Sequence, residues 1–343
     1  MPQKTYDYII IGSGFGGSVS AMRLTEKGYS VLVIERGKRF RDEDFPKTNW
    51  NLPKFLWLPK LRLHGFFEMT FMNGLLALHG SGVGGGSLTY ANVLMEPSDE
   101  LFSSSWQEFA DWKTLLAPHY ATARKMLGVA RNPKLWPADE HLKGIAGELG
   151  YADSFHATDV GVFFGEEGKT VPDPYFDGEG PDRAGCIHCG GCMVGCRENA
   201  KNMLTKNYLY FAEKNGAEVM AERKVVDIEP ITDVNSTGSR YRILYQPSTS
   251  FVKGKPAQIH ARNVIVSAGA LGTMELLFKC RDETQSLPKI SQKLGDKVRT
   301  NSENIMGVTM RGKDINYSEG IAITSIFQAD EVTRIEPVKY AEG

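Results

Sequence analysis

Residues 8–35 read YIIIGSGFGGSVSAMRLTEKGYSVLVIE, and this stretch decides the fold. Residues 8–11 are a short, mostly β-branched apolar run, as a parallel strand buried on both faces requires. Gly12, Gly14 and Gly17 follow at G-x-G-x-x-G spacing, with Phe15 and Gly16 inside the turn. A helical pattern covers 18–27 and stops at Gly28, and a second apolar run, 31–34, ends on Glu35. Each part has a physical job. Gly12 permits a tight turn, Gly14 lets the backbone approach a pyrophosphate, and Gly17 lets the helix pack on the strand. The helix N-terminus offers unpaired N–H groups and a positive dipole end to phosphate. Glu35, 18 residues after Gly17, is placed to accept hydrogen bonds from a ribose hydroxyl. A glycine turn alone is weak evidence, but the order strand–turn–helix–strand–acid predicts a Rossmann-like α/β domain that binds a dinucleotide. It does not separate FAD from NAD. The acid disfavours NADP, although Arg36 directly after it softens that point.

The bulk properties agree. A chain of 343 residues, 41% of them apolar, can bury one large core or two ordinary ones. A formal net charge of −1 supplies no field that would draw the molecule to nucleic acid. No run of 18 apolar residues is present, which argues against a spanning helix, and the first strand begins too early to leave room for a signal peptide. The expected location is cytoplasmic, with membrane association left open. In a reducing compartment, five cysteines point to ligation, redox work or packing before disulfides.

Residues 79–87 read HGSGVGGGS, with five glycines in nine positions: Gly80, Gly82, Gly84, Gly85 and Gly86, around Val83 and before Ser87. Such a backbone can lie flat against a planar or charged ligand. An NAD dehydrogenase has no standard need for it here. The segments GSGFGGSVSAMRL, VLVIERG and GSGVGGGSLTYANV, together with ARNVIVSAGALGTMELL at 261–277, resemble the glucose–methanol–choline (GMC) oxidoreductases, on their cholesterol-oxidase-like side. The resemblance runs from Tyr6 to about Pro337. It implies FAD, with the second cluster wrapping the flavin side. It also implies a strand at 264–267, whose turn at Ala268 and Gly269 returns beneath the cofactor, and a backbone contact to the adenine at Val225. The family commonly carries an asparagine three residues after the serine of the second cluster. Tyr90 stands there, and Asn92 is the nearest candidate. Some members tether FAD through a histidine in this loop; residues 87–92 contain none, so the expected FAD is non-covalent.

Cys186, Cys189, Cys192 and Cys196 have the spacing of a bacterial ferredoxin run, with Arg197 in place of the usual proline. An iron–sulfur cluster there would let electrons pass from flavin to an external acceptor and make the protein a dehydrogenase. Zinc and purely structural cysteines, including a disulfide, stand beside that reading, and His188 inside the run is a further potential ligand. Cys280 reads as a packed thiol.

Residues 50–67, WNLPKFLWLPKLRLHGFF, combine aromatic and basic side chains with no acid. Pro53 and Pro59 forbid one continuous helix. The segment fits either peripheral membrane contact or packing between domains, the second being favoured.

The expected organisation is a discontinuous FAD domain, 1–100 and 220–299, with an antiparallel meander near 235–260. An insertion with the cysteine-rich loop occupies 101–219, and a β-rich substrate domain begins at 300–343. The resemblance implies hydride transfer to flavin from the CH–OH group of a bulky apolar alcohol, a sterol by branch, with oxygen or another electron acceptor. An electron-transfer module and an inactive FAD-binding fragment are the alternatives. The family places its catalytic histidine in a C-terminal segment that this sequence does not show, its last histidine being His260. The catalytic group is therefore unassigned, with Glu303 as a weak candidate. The chain alone is expected to bind FAD and turn over poorly, as a truncated sequence or one partner of a split enzyme.

Overall fold

The computed structural model describes residues 4–102, 105–232, 238–250, 254–301, 303–307 and 315–341. Its centre is a six-stranded sheet. In chain order the elements are β1 (Thr5–Ile11), α1 (Phe15–Thr25), β2 (Val31–Ile34), the hairpin β3 (Phe67–Met72) and β4 (Leu75–Gly80), and the helices α2 (Trp112–Met126) and α3 (Pro137–Glu148). Then come the short strand β5 (His156–Ala157), α4 (Tyr208–Lys214), β6 (Glu218–Met220), β7 (Arg223–Pro230), β8 (Tyr241–Pro247), β9 (Ala257–Val266), α5 (Gly269–Phe278), β10 (Ser325–Gln328) and β11 (Arg334–Ile335). The sheet order is β6-β2-β1-β9-β8-β7.

Strands β6, β2, β1 and β9 are parallel, and β9, β8 and β7 form the antiparallel meander. β9 does both jobs. Its first half pairs with β8, Ala261 facing Tyr241, and its second half runs beside β1, Ile265 facing Ile10. It is longer than the expected strand because the meander needs residues 257–261 as well. Side chains alternate between the two faces. Ile10, Val31 and Val33 pack with Ala21 of α1 and Leu209 and Ala212 of α4. Ile9, Ile11, Leu32 and Ile34 pack with Val225, Ile228, Ile243 and Leu276 of α5. The four residues of β2 are all buried, which explains why they read as an uninterrupted apolar run.

Two expectations shift. α1 begins at Phe15, three residues ahead of the apolar pattern, because its first turn carries Gly16 and Gly17 of the glycine motif, which give no apolar period. Residues 208–214 lie within the expected insertion at 101–219, yet they form α4, which packs on α1 against the sheet. The segment expected to begin a substrate domain shares strands and core with the insertion. β10 pairs with β5 of the insertion and with β11, and Ile321 and Ala322 sit in one core with Val160, Val162 and Cys186. The other expected strands at 300–315 fall partly on Ser302 and residues 308–314, outside the described residues.

Candidate flavin site and cysteine loop

The turn after β1 lies against the turn after β9. Ser267 donates its backbone N–H to Ile11 O at 2.8 Å, and a Cβ on Gly12, whose φ is +98°, would stand 2.4 Å from Ser267 O. A Cβ on Gly17 would stand 2.0 Å from Gly12 O. Both glycines are therefore required by backbone contact. Gly14 differs: its Cβ would meet only Gly85 Cα, at 3.9 Å, so the space in front of it is free. α1 starts there with Gly14 as N-cap, with no side-chain cap and no acid in its first turn, which leaves its N–H groups to an anion. α5 starts in the same manner, at Ala268 and Gly269, again without a side-chain cap or first-turn acid.

The second glycine cluster nests on the first. A Cβ on Gly85, at φ +52°, would stand 2.6 Å from Gly14 Cα, and one on Gly37 2.3 Å from Gly82 N. Gly84, at φ +108°, begins the turn that carries Gly86 and Ser87. The Ser87 hydroxyl donates to Gly84 O at 2.7 Å and accepts from Leu204 N at 3.0 Å. Val83 is fully buried, and the half-exposed Phe15 ring meets Tyr90 edge-on, with centroids 6.1 Å apart.

One residue that the motif reading passed over joins the two clusters. The Ser13 hydroxyl donates to Glu35 Oε2 at 2.7 Å and accepts from Gly84 N at 3.1 Å. Glu35 is buried and also accepts from Ser13 N at 3.0 Å and Gly37 N at 2.8 Å. Its carboxylate thus braces both loops in addition to any contact with ribose. Arg223, at the start of β7, donates its N–H to Glu35 O at 2.9 Å, which brings the buried Val225 to the same end of the sheet. Ser13 has no sequence signature, because its partners lie 22 and 71 residues away.

Asn92 is fully buried with φ +74°, and its side-chain amide lies against the Cys192 thiol without a well-formed hydrogen bond. A buried amide left so is a group that a ligand can satisfy. Together with the free space at Gly14 and the two uncapped helix starts, it fits a large polar cofactor lying across both glycine clusters. Glu303 is not brought to them: it is exposed, accepts from Asn301 Nδ2 at 3.0 Å and neighbours Glu336.

Behind the second cluster lies the cysteine loop. Lys201 is buried and donates to three carbonyls, Leu88 O at 3.1 Å, Tyr90 O at 2.8 Å and Cys192 O at 2.9 Å. Burial pulls its ammonium down to about 8, against the opposing influence of Cys192 and Cys196. Arg183, also buried, donates to Lys201 O at 2.9 Å and to the Asn202 side chain. All five cysteines are free, and burial raises the pKa of Cys186, Cys189, Cys192 and Cys280. Cys280 packs beneath the meander, its thiol 3.4 Å from Asp227 Oδ1, as a structural thiol should. Among the described residues, no three His, Cys, Asp or Glu side chains are gathered to hold a metal ion.

Residues 50–67 divide. Phe55, Trp57, Phe66 and Phe67 are buried, with Phe55 stacked on Phe67 at 4.7 Å, whereas Trp50, Leu52, Leu58 and Leu61 are exposed beside Lys54, Lys60 and Arg62. Among the described residues, no helix is long and apolar enough to cross a membrane.

Residues 7–304 match the family model described as FAD dependent oxidoreductase. The chain belongs to the FAD-dependent oxidoreductases. Within them it falls in the GMC group, on the cholesterol-oxidase-like branch, and its cofactor is FAD. It is 50% identical to a cholesterol oxidase of Acinetobacter baumannii, the match covering 98% of this chain and 62% of that protein. It is 46% identical to a cholesterol oxidase of Mycobacterium tuberculosis, covering 98% and 59%. The chain therefore spans about three fifths of the length of these curated relatives. Among solved structures, an FAD-dependent oxidoreductase from Chaetomium thermophilum aligns with a TM-score of 0.52 at 17% identity, over 80% of this chain and 47% of that one. That likeness concerns the fold alone.

Proposed function

We propose that this chain holds FAD for the oxidation of a CH–OH group on a bulky apolar alcohol, a sterol by its branch, with oxygen as the acceptor that branch implies. The observation that carries the reading is the identity of about one half to cholesterol oxidases along nearly the whole chain, coinciding with two nested glycine clusters. Bound FAD supplies the hydride acceptor. The chain's residues bind and orient it. The starts of α1 and α5 offer N–H groups to its phosphates, Glu35 receives its ribose, and Gly84, Gly85, Gly86, Ser87 and Asn92 line its flavin end. No residue is assigned as the base. The absence of histidine from 87–92 supports non-covalent binding, so acid precipitation should leave the pellet colourless.

Two finer points belong to the same reading. Trp50, Leu58 and Leu61, exposed beside basic residues, would serve a peripheral membrane contact, and flotation with anionic vesicles tests it. The cysteine run would hold an iron–sulfur centre. The activity itself is tested by mixing the FAD-loaded protein anaerobically with a 3β-hydroxysterol. Bleaching of the flavin band is expected. A flavin that stays oxidised with sterols and long-chain alcohols alike would favour the electron-transfer module.

A further inference from the structure

Tyr90 stands where the GMC resemblance implies an asparagine, and nothing in the flavin site described above uses its hydroxyl. The structure gives that hydroxyl a partner. Tyr90 Oη donates to Asn202 O at 3.0 Å, its backbone N–H donates to Gly86 O at 2.9 Å, and its carbonyl accepts from Lys201 Nζ at 2.8 Å. Its ring meets Phe15 of the first glycine cluster. One residue thereby joins both clusters to the insertion. We infer that Tyr90 is a positioning residue for the flavin: held by Asn202, it fixes the back of the second glycine cluster before FAD arrives. The inference rests on the FAD reading above and adds to it a role for residues 159–202 of the insertion.

Three observations support it. First, the two halves of the cofactor loop rest on different parts of the molecule. Gly84 and Gly85 lie against Ser13 and Gly14 of the first cluster. Residues 92–94 are laced to the insertion instead. Gly161 N donates to Asn92 O at 2.8 Å, Leu94 N donates to Asp159 O at 2.9 Å, and Val93 faces Val160 in an antiparallel bridge. Asn202 N donates in turn to Gly161 O at 2.8 Å, so the acceptor of the Tyr90 hydroxyl belongs to the same network. Second, that acceptor is held from behind. Asn202 is buried, and its Nδ2 donates to Leu127 O at 2.9 Å and Gly128 O at 3.1 Å, while its Oδ1 accepts from Arg183. Arg183 also donates to Asn199 O at 3.1 Å and Lys201 O at 2.9 Å, which ties down the whole run 199–202. Third, room is kept for the hydroxyl. A Cβ on Gly161 would stand 2.5 Å from Tyr90 Oη and 3.0 Å from Leu94 Cδ1. The φ of Gly161 is not positive, so this close approach, and not the backbone conformation, calls for glycine.

The consequence is preorganisation. Three successive glycines, 84–86, lose much conformational freedom when they are fixed. A loop already fixed by the fold spares the ligand that loss, and affinity rises accordingly. The N–H groups of Thr89 and Tyr90 both close on Gly86 O, at 3.1 and 2.9 Å, so the anchor at Asn202 reaches the glycines through a single turn of backbone. The ring of Tyr90, set edge-on to Phe15 at the start of α1, carries the same anchor to the helix whose N–H groups face the phosphates.

The test compares Tyr90→Phe with wild type in the full chain. This variant keeps the ring and its contact with Phe15 and loses only the hydroxyl. Its FAD dissociation constant should rise about tenfold, the order that one lost hydrogen bond produces. The visible circular dichroism of its bound flavin should change, and amides 86–92 of its FAD-free form should exchange hydrogen faster. Gly161→Ala, which crowds the hydroxyl off Asn202, should move all three readings the same way. Tyr6→Phe is the control: it loses a hydroxyl bond to Glu218, at 2.8 Å, near the opposite end of β1, and should lower the melting temperature while leaving FAD affinity and the flavin dichroism unchanged. Wild-type FAD affinity and dichroism in Tyr90→Phe, even with a lower melting temperature, would reduce the tyrosine to a structural role and overturn the inference. A wild-type chain that takes up no FAD would count against the FAD reading instead. The exchange rates then decide on Tyr90 by themselves: faster exchange at 86–92 in Tyr90→Phe sustains the brace, and unchanged exchange removes it.

Discussion

At the scale of single residues, the two glycine clusters separate cofactor contact from folding. Gly14 faces free space, so Gly14→Val should remove FAD while leaving the thermal stability of the FAD-free protein close to wild type. Gly85, 2.6 Å from Gly14 Cα and at φ +52°, cannot take a Cβ without moving backbone. Gly85→Ala should therefore destabilise by about 1–3 kcal/mol whether or not FAD is present. Melting curves of both variants, with and without FAD, check the pair; a Gly14→Val protein that retains stoichiometric flavin would remove the pyrophosphate from this site. Glu35→Ala should do both kinds of damage. It leaves the Ser13 and Gly37 donors unpaired in a buried place, so a stability loss of about 1–3 kcal/mol is expected alongside weaker FAD binding. The sequence predicts Glu35 as a ribose acceptor because that expectation rests on a local motif. It could not show the bracing role, which depends on Gly84 meeting Ser13 across 71 residues.

Among the elements, those whose determinants are contiguous were legible and those assembled across the chain were not. The β1–α1–β2 unit and the meander follow from apolar period and turn residues. The position of α4 does not, since its apolar face could cover any layer, and only packing on α1 places it. Residues 50–67 combine aromatic and basic side chains in sequence, yet the structure sorts them: Phe55, Phe66 and Phe67 join the core around Phe45, Trp57 is buried too, and Trp50, Leu58 and Leu61 face solvent. The loop after Val171 is rich in proline and glycine. In the structure, Asp173 organises it, its carboxylate accepting N–H groups from Tyr175, Phe176, Gly178 and Gly180 at 2.9–3.0 Å. Burial raises the Asp173 pKa, but these four bonds outweigh it and the net shift is downward. A carboxyl depressed below its unfolded value of about 3.9 stabilises the fold fully above that pH and loses the contribution as pH falls through the folded value. Asp173→Ala should therefore cost about 1–3 kcal/mol at pH 7, and the deficit should shrink in urea titrations near pH 3. An equal deficit at both values would mean that the charge is not what holds the loop.

Over the whole molecule, the described surface carries one feature that neither cofactor nor core accounts for, the β3–β4 hairpin. Asn73-Gly74 makes its turn, with Gly74 at φ +75°, and Phe71, Met72, Leu75 and Leu76 surround the tip, all exposed. The hairpin is a separate two-stranded sheet, held at its base where Phe67 stacks on Phe55 and Ser81 N donates to Phe66 O at 2.8 Å. A contiguous apolar patch with open strand edges favours association with further apolar surface. Phe71 is 78% exposed, and it stands directly across from Leu76. The double variant Phe71→Glu, Leu76→Lys replaces an apolar cross-strand pair with an opposite-charge pair, which a hairpin tolerates. Its thermal stability should stay within about 0.5 kcal/mol of wild type, as for exposed positions in general. Its concentration-dependent self-association in sedimentation experiments, and its binding of an apolar fluorescent dye, should both fall. Because the substituted pair adds no net charge, general repulsion between molecules does not explain such a fall. Association unchanged in the double variant would show that the hairpin tip is not the adhesive surface and would shift attention to Trp50 and Leu61, the exposed apolar residues of the neighbouring segment.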